Sequence, residues 1–247
     1  MGALIALAIS TTGIGGGILT APVLMLYAGL PPVQAVGTAL VFVTAVKLCA
    51  APAYMLREKL DYRVLAWLAA GGVPGVVVGT ALLRKLDLEG ARGTVLVLVG
   101  ITVVVCAALH LVRRSSAGAA PANAYKPARL APIAAAIGVE VGFSSAGAGA
   151  LGTLALMRYT NLKAAQVVGT DLLFGLVLSA AGGALHLISG DLNQGVLLHL
   201  LTGGIPGALA GVWVATVVPS QILRKALSVW LIVMGGHLLS QGISSLR

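Results

Sequence analysis

The chain has 247 residues, 58% of them hydrophobic and only 9% charged, whereas a soluble domain is about 25% charged; most of this chain is therefore excluded from water. The net charge of +9 does not signal nucleic acid, because the cations lie in short loops between apolar runs and form no single basic face. The runs lack the polar–apolar alternation of a membrane β-barrel, and many reach about 20 residues, enough for a helix to cross a bilayer.

An all-α polytopic membrane protein with eight apolar segments is expected. The first, 2–28, lacks the positively charged start of a cleavable signal peptide and runs through Thr11 and Thr12 into Gly13-Ile14-Gly15-Gly16-Gly17, with Pro22 beyond. Such a cluster breaks a helix and frees backbone N–H groups, which protein, water or ligand must satisfy. Where a half-helix restarts, those amides and the helix dipole favour an anion. The same small residues also suit close helix packing.

The second segment, 33–56, carries Val36-Gly37-Thr38 and then Lys47. Lys47 lies near the middle of the segment, well inside both of its ends. It is too deep to snorkel, and a cation at that depth costs about 2.5–3.5 kcal/mol to insert. It reads either as a group that neutralises an anionic substrate or as half of an internal ion pair with Asp171 or Glu140.

The third segment, 64–83, contains Gly71-Gly72-Val73-Pro74-Gly75. Its proline predicts a kink that either hinges the helix or only shapes its packing. The fourth is 93–112. Cys49 and Cys106 stand in apolar runs without metal-ligand spacing and read as small buried hydrophobes. Residues 113–129, rich in Ser, Ala and Pro, form the one long polar stretch and read as a linker. It divides a first transmembrane repeat, 1–112, from a second, 130–247.

The fifth segment, 130–157, holds Glu140 and then Ser144-Ser145-Ala146-Gly147-Ala148-Gly149, where hydroxyls join the freed amides. The sixth, 165–189, holds Val168-Gly169-Thr170, Asp171 and His186. Of seven acidic residues only Glu140 and Asp171 fall inside apolar runs; each could carry a proton through a transport cycle, or serve as a counter-ion or cap. His186 is a further gating candidate, although a lone histidine is more often a hydrogen-bonded interface residue. The seventh and eighth segments are 195–215 and 221–241, the seventh with Gly203-Gly204-Ile205-Pro206-Gly207.

One frame relates the two halves. Val36-Gly37-Thr38 recurs as Val168-Gly169-Thr170. The shift that carries Gly37 onto Gly169 also lays, with no gap, the first Gly-Gly-Val-Pro-Gly on Gly-Gly-Ile-Pro-Gly. It matches Gly15 with Gly147, Gly17 with Gly149, Tyr27 with Tyr159 and Gln34 with Gln166. Apolar composition alone would not align Tyr, Gln and a Gly-Gly-x-Pro-Gly run together. A tandem duplication of this kind is common in secondary transporters.

Loop charge selects the topology. If all eight segments cross, the fifteen loop cations divide eight to seven between the faces. If the first and fifth are re-entrant hairpins, the division is eleven to four, with only Arg84, Lys85, Arg92 and Arg247 on the poorer face. The positive-inside rule expects asymmetry. The reading is thus two inverted repeats, each a broken or re-entrant glycine-rich segment followed by three transmembrane helices, with both termini outside.

No HExxH, P-loop, nucleophile elbow or Ser-His-Asp arrangement is present. The expectation is no enzyme, no ATP-driven pump, no metal and no cofactor. With these residues in view, the chain resembles the TauE/SafE family of membrane proteins, often called sulfite exporters. The resemblance covers nearly the whole chain in two copies. It rests on Gly13-Ile14-Gly15-Gly16-Gly17 with Pro22, on the two Val-Gly-Thr triplets and on the Gly-x-Pro-Gly stretches. Lys47 after Thr44, and Asp171 after Gly169-Thr170, look like a branch of this family with polar residues in the second helix of each half. The Ser144-to-Gly149 run departs from the glycine-rich pattern and leaves open whether both repeats touch substrate alike.

The resemblance implies a secondary carrier for sulfite, sulfonates or related sulfur-containing anions in a bacterial inner membrane. The anion is expected at mid-membrane between the two motifs, that is, Gly15, Gly16 and Gly17 facing Gly147 and Gly149. Lys47 and the hydroxyls of Thr38, Thr170, Ser144 and Ser145 would hold it, while Asp171, Glu140 and His186 would couple or gate. The alternatives are an anion channel and a non-transporting scaffold or assembly factor. The partners are the small anion and the lipid bilayer; the oligomeric state is open, with a homodimer as one option.

Overall fold

The computed structural model describes residues 2–12, 17–55, 60–112, 127–217 and 220–246. Among the described residues the structure is all helical, with ten α-helices and no strand. They are α1 (Gly2–Thr12), α2 (Gly17–Tyr27), α3 (Pro32–Met55), α4 (Tyr62–Leu88) and α5 (Arg92–Val112), followed by α6 (Leu130–Ser144), α7 (Ala148–Tyr159), α8 (Ala164–Ile188), α9 (Gln194–Val217) and α10 (Ser220–Ser245). Among the described residues, three stretches are long and apolar enough to cross a membrane: Pro32–Pro52, Tyr62–Leu88 and Gln166–Ile188. Large apolar side chains such as Trp67, Val78, Trp213 and Val233 stand exposed on the outside, as a surface in contact with lipid tails requires.

Ten helices arise from eight apolar segments because the first and fifth are each two helices. In the fifth, α6 ends at Ser144, where Ser145 turns left-handed with φ 62° and its N–H returns to the Val141 carbonyl at 2.8 Å. Gly147 follows with φ 95°, a conformation that L side chains rarely adopt, and α7 restarts at Ala148. In the first segment, α1 ends at Thr12 and α2 starts at Gly17. Gly13 to Gly16, and with them the expected site residues Gly15 and Gly16, lie outside the described residues.

The other helices begin and pack for local reasons. Asp61 caps α4, its carboxylate accepting from the N–H groups of Arg63 and Val64 at 3.0 and 3.2 Å. Asn193 starts α9 by accepting from the Val196 N–H at 3.0 Å. Neither Pro74 nor Pro206 ends its helix. The glycines around them are packing surfaces: Gly71, Gly75 and Gly79 press on the backbone of α6 at Ala131, Ala135 and Val139. The rising numbers show α4 and α6 running in the same direction. Gly207 and Gly211 of α9 press likewise on Ala3 and Leu7 of α1. In a membrane, where apolar burial drives little association, such close backbone approach supplies the dispersion that holds helices together.

The centre is a crossing of α3 and α8, which run antiparallel: Gly37 lies on His186, Gly182 on Leu40 and Gly175 on Lys47. Helices α5 and α10 are antiparallel too, with Gly100 against Gly235 and Gly93 against Gly242. Phe42 and Phe174 are fully buried, each seated on a glycine of α9 or α4, Gly204 and Gly72 respectively.

Candidate functional site

Two buried charges meet where α3 crosses α8. Lys47 is 6% exposed and Asp171 4%. The Lys47 ammonium lies directly on Gly175, one turn beyond Asp171, and a Cβ at position 175 would strike it. Asp171 in turn abuts Gly152 of α7. Its Oδ2 is 2.9 Å from the Thr153 hydroxyl, which also lies 2.8 Å from the Gly149 carbonyl oxygen. Thr153 thus ties the carboxylate to the first turn of α7. The acidic group whose field reaches Lys47 is Asp171; Glu140 lies elsewhere.

Between these groups is a cavity of about 20 Å³, lined by Ile9, Ser10, Lys47, Ala50, Gly149, Val168, Asp171 and Leu172. It draws on the end of α1, the middle of α3, the first turn of α7 and the first half of α8. A single water needs roughly 10–15 Å³ of such space. A sulfur oxyanion with three or more oxygens needs several times that, so the site is closed in this state. Ser10 brings into the lining a buried hydroxyl with no hydrogen-bond partner among the described residues.

The two breaks touch beside this cavity. A Cβ on Gly17, the first residue of α2, would overlap the Ser145 carbonyl and hydroxyl. The Ser145 hydroxyl is buried without a hydrogen-bond partner among the described residues. Ser144 is occupied locally: its Oγ lies 3.1 Å from the Glu140 carbonyl and 3.3 Å from Glu140 Oε1, and accepts from the Ala146 N–H at 3.2 Å. Gly147, at the start of α7, supplies no side-chain cap, so no side chain of that residue competes with a ligand for the first amides of the helix.

Other expected residues fall outside the Lys47 cavity. Thr38 accepts from the Asn193 backbone N–H at 3.1 Å, pinning the α8–α9 connection to α3. Thr170 is buried beside Asp171 in sequence, with no hydrogen-bond partner for its hydroxyl among the described residues, yet it does not line the cavity. Glu140 opens into a separate groove with Leu151, Ala155, Arg158 and Tyr159. His186 is fully buried near the far end of α8, about 22 Å of helix from Asp171. There its Nδ1 is 3.8 Å from Asp191, which pairs with Arg84 at 2.8 Å; Arg84 also donates to the Leu185 carbonyl at 3.2 Å.

Sequence reasoning missed Ser10, Thr153 and Gly175. Only Thr153 had a signal, one helical turn after Gly149 on one face of the restarted helix. Among the described residues no cluster of His, Cys, Asp and Glu could hold a metal ion.

The sulfite exporter TauE/SafE family matches residues 1–238 of the chain. The chain is also similar to the probable membrane transporter protein YjnA of Bacillus subtilis, with 30% identity over 220 residues that span 85% of this chain and 86% of that one. The probable membrane transporter protein YunE of the same organism is 23% identical over 256 residues, 96% of this chain and 94% of that one. No solved structure matches the chain significantly. These likenesses and the long apolar helices support a membrane protein that transports, and the chain belongs to the TauE/SafE sulfite exporter family.

Proposed function

We propose that the protein is a proton-coupled secondary carrier, moving a small sulfur-containing anion such as sulfite or a sulfonate across the bacterial inner membrane by alternating access. The observation that carries this reading is Lys47 facing Asp171 in a closed cavity beside the meeting point of two broken segments. An anion can engage the ammonium only by competing with the Asp171 carboxylate. A proton on Asp171 removes that competitor.

The charge balance then favours coupling. The empty site holds one cation and one carboxylate, a net charge of zero. The loaded site holds the ammonium, a neutral carboxylic acid and a monoanion, again zero. Both forms avoid the cost of an uncompensated charge in a low-dielectric interior. An anion without the proton, or a dianion with it, leaves a net charge of −1. The first amides of α7 and the hydroxyls of Ser10 and Ser145 would complete the anion's hydrogen bonding once the cavity widens.

Several observations support two inverted repeats, 1–112 and 130–247, within this reading. Helices in matching positions of the two halves, α3 with α8 and α5 with α10, cross antiparallel. The parallel pairs α4 with α6 and α9 with α1 exchange when one half is laid on the other. Gly2 and Ala28 line one cavity, as do Ile133 and Tyr159, so each broken segment brings its two ends together as a re-entrant hairpin would. Inverted repeats allow two mirror-related conformations that open the same site to opposite faces.

Uptake into liposomes of labelled sulfite, taurine, sulfoacetate, thiosulfate and sulfate, with and without a pH gradient, tests the proposal. Saturable, counter-transporting flux that responds to the gradient and is lost in Lys47→Ala is expected. Unsaturable flux would indicate a channel, and no flux of any of these anions a scaffold.

A further inference from the structure

Two grooves of nearly equal size flank the broken segments. One, about 460 Å³, lies between α1 and α2 and, among the described residues, is lined by apolar side chains apart from the rings of Tyr27 and Trp230. The other, about 440 Å³, lies between α6 and α7. Their linings correspond in the frame that relates the two halves: Ile5 with Ile137, Leu19 with Leu151, Tyr27 with Tyr159. At one of these corresponding positions the chemistry changes: Ala8 in the first groove is Glu140 in the second. At the mouth of the second groove Arg158 stands where the first half has Leu26. A groove of this size therefore packs without a carboxylate, and Glu140 is not there for shape.

Glu140 is half-buried, with Oε1 3.3 Å from the Ser144 hydroxyl and its Cγ against Gly147 at the break. Asp171 meets the same stretch of chain at Thr153. Gly147 and Thr153 are separated by about 9 Å of helix. The two intramembrane carboxylates thus flank the first turns of α7, one opening to the groove and one to the Lys47 cavity. The charged or titratable groups that face Glu140 among the described residues are Cys106 on α5 and Arg158 and Tyr159 on α7. Along α6, α4 presents only glycines, Val76 and Thr80 at this level. Arg84, a turn further on, is held by Asp191.

We propose that the α6–α7 groove is the carrier's proton access route and that it serves one face only. Glu140 takes a proton from the Arg158 side and gives it to water that carries it past the start of α7 to the Asp171 carboxylate, the two carboxyls being too far apart for direct transfer; the O–H bond on Glu140 breaks as a water takes the proton, that on Asp171 forms as a water delivers it, and Glu140 is reprotonated from the groove mouth. The apolar groove between α1 and α2, with Ala8, offers no such step. This rests on the proton-coupled reading above.

The test compares two fluxes in liposomes: anion exchange with no gradient, and accumulation driven by a pH gradient. Glu140→Gln is expected to cut gradient-driven accumulation at least about tenfold and to slow gradient-free exchange to a lesser degree, because in exchange the proton can stay on Asp171 between one anion and the next, and Glu140→Asp to restore accumulation. A membrane-permeant carbodiimide is expected to label wild type at Glu140 and to spare Glu140→Gln. Gradient-driven accumulation by Glu140→Gln at the wild-type level overturns the access route and leaves the coupled carrier standing. Loss of both fluxes in the Gln and Asp variants overturns it as well, by making Glu140 structural. Wild-type exchange that ignores the pH gradient overturns proton coupling itself.

Discussion

Gly17, at the start of α2, rests so closely on Ser145, in the break between α6 and α7, that a single added carbon would overlap the serine's carbonyl and hydroxyl. The contact joins the two broken segments beside the Lys47 cavity. It explains why a glycine is needed there: any side chain forces α2 away from the α6–α7 break.

Gly17→Val should therefore separate α2 from Ser145 at a cost of about 1–3 kcal/mol. Thermal unfolding in detergent is expected to show a lower Tm, and transport should fall further than stability does. An unchanged Tm would mean that Gly17 and Ser145 are not tightly packed.

Lys47→Met should be the most disruptive single change at the site, because it leaves Asp171 buried without its cation. Breaking a buried pair costs about 3–5 kcal/mol. Adding Asp171→Asn is expected to recover most of that stability and none of the transport. A double-mutant cycle on Tm and uptake measures the coupling; additive losses would show that the two residues do not interact.

Asp171→Asn alone imitates the protonated acid, so Lys47 stays open to an anion at every pH. Exchange is expected to persist and to lose its dependence on pH, whereas wild-type uptake rises as the pH on the loading side falls. Uptake measured across a pH series checks the sign. A variant that keeps the wild-type slope would place the titrating group elsewhere.

Charge balance at the site predicts selectivity for monoanions. Hydrogen sulfite and sulfonates should outcompete sulfate by about tenfold or more, since a dianion leaves a net charge worth at least about 1.4 kcal/mol in the loaded interior. Competition against labelled methanesulfonate uptake measures the ratio, and equal inhibition by sulfate would refute the balance.

Arg84→Ala should matter little for stability. The Arg84–Asp191 pair is about one-third exposed on each side, and pairs of that kind contribute about 0–1 kcal/mol. Its expected effect is local: residues of the α8–α9 connection, tied to α3 through Thr38 and Asn193, should become more accessible to thiol reagents when replaced by cysteine. Unchanged labelling would show that Thr38 holds the connection unaided.

Much was legible in the chain itself. Hydropathy along a sequence is what a bilayer selects, so the helical, membrane-embedded class follows from composition and run length. Family membership follows from the doubled glycine motifs, and the rarity of charge in apolar runs singles out Lys47, Asp171 and Glu140 before any coordinates. What the chain could not say is which of those charges share a space. Lys47 faces Asp171 because α3 and α8 run antiparallel, which also carries His186 to the opposite end and binds Thr38 to a backbone amide. Glu140 faces a groove of its own because α6 and α7 turn that side away from α8. Linear spacing fixes the face a residue occupies on its own helix, but the partner of that face depends on close backbone contacts between helices far apart in sequence, and only the packed structure decides those.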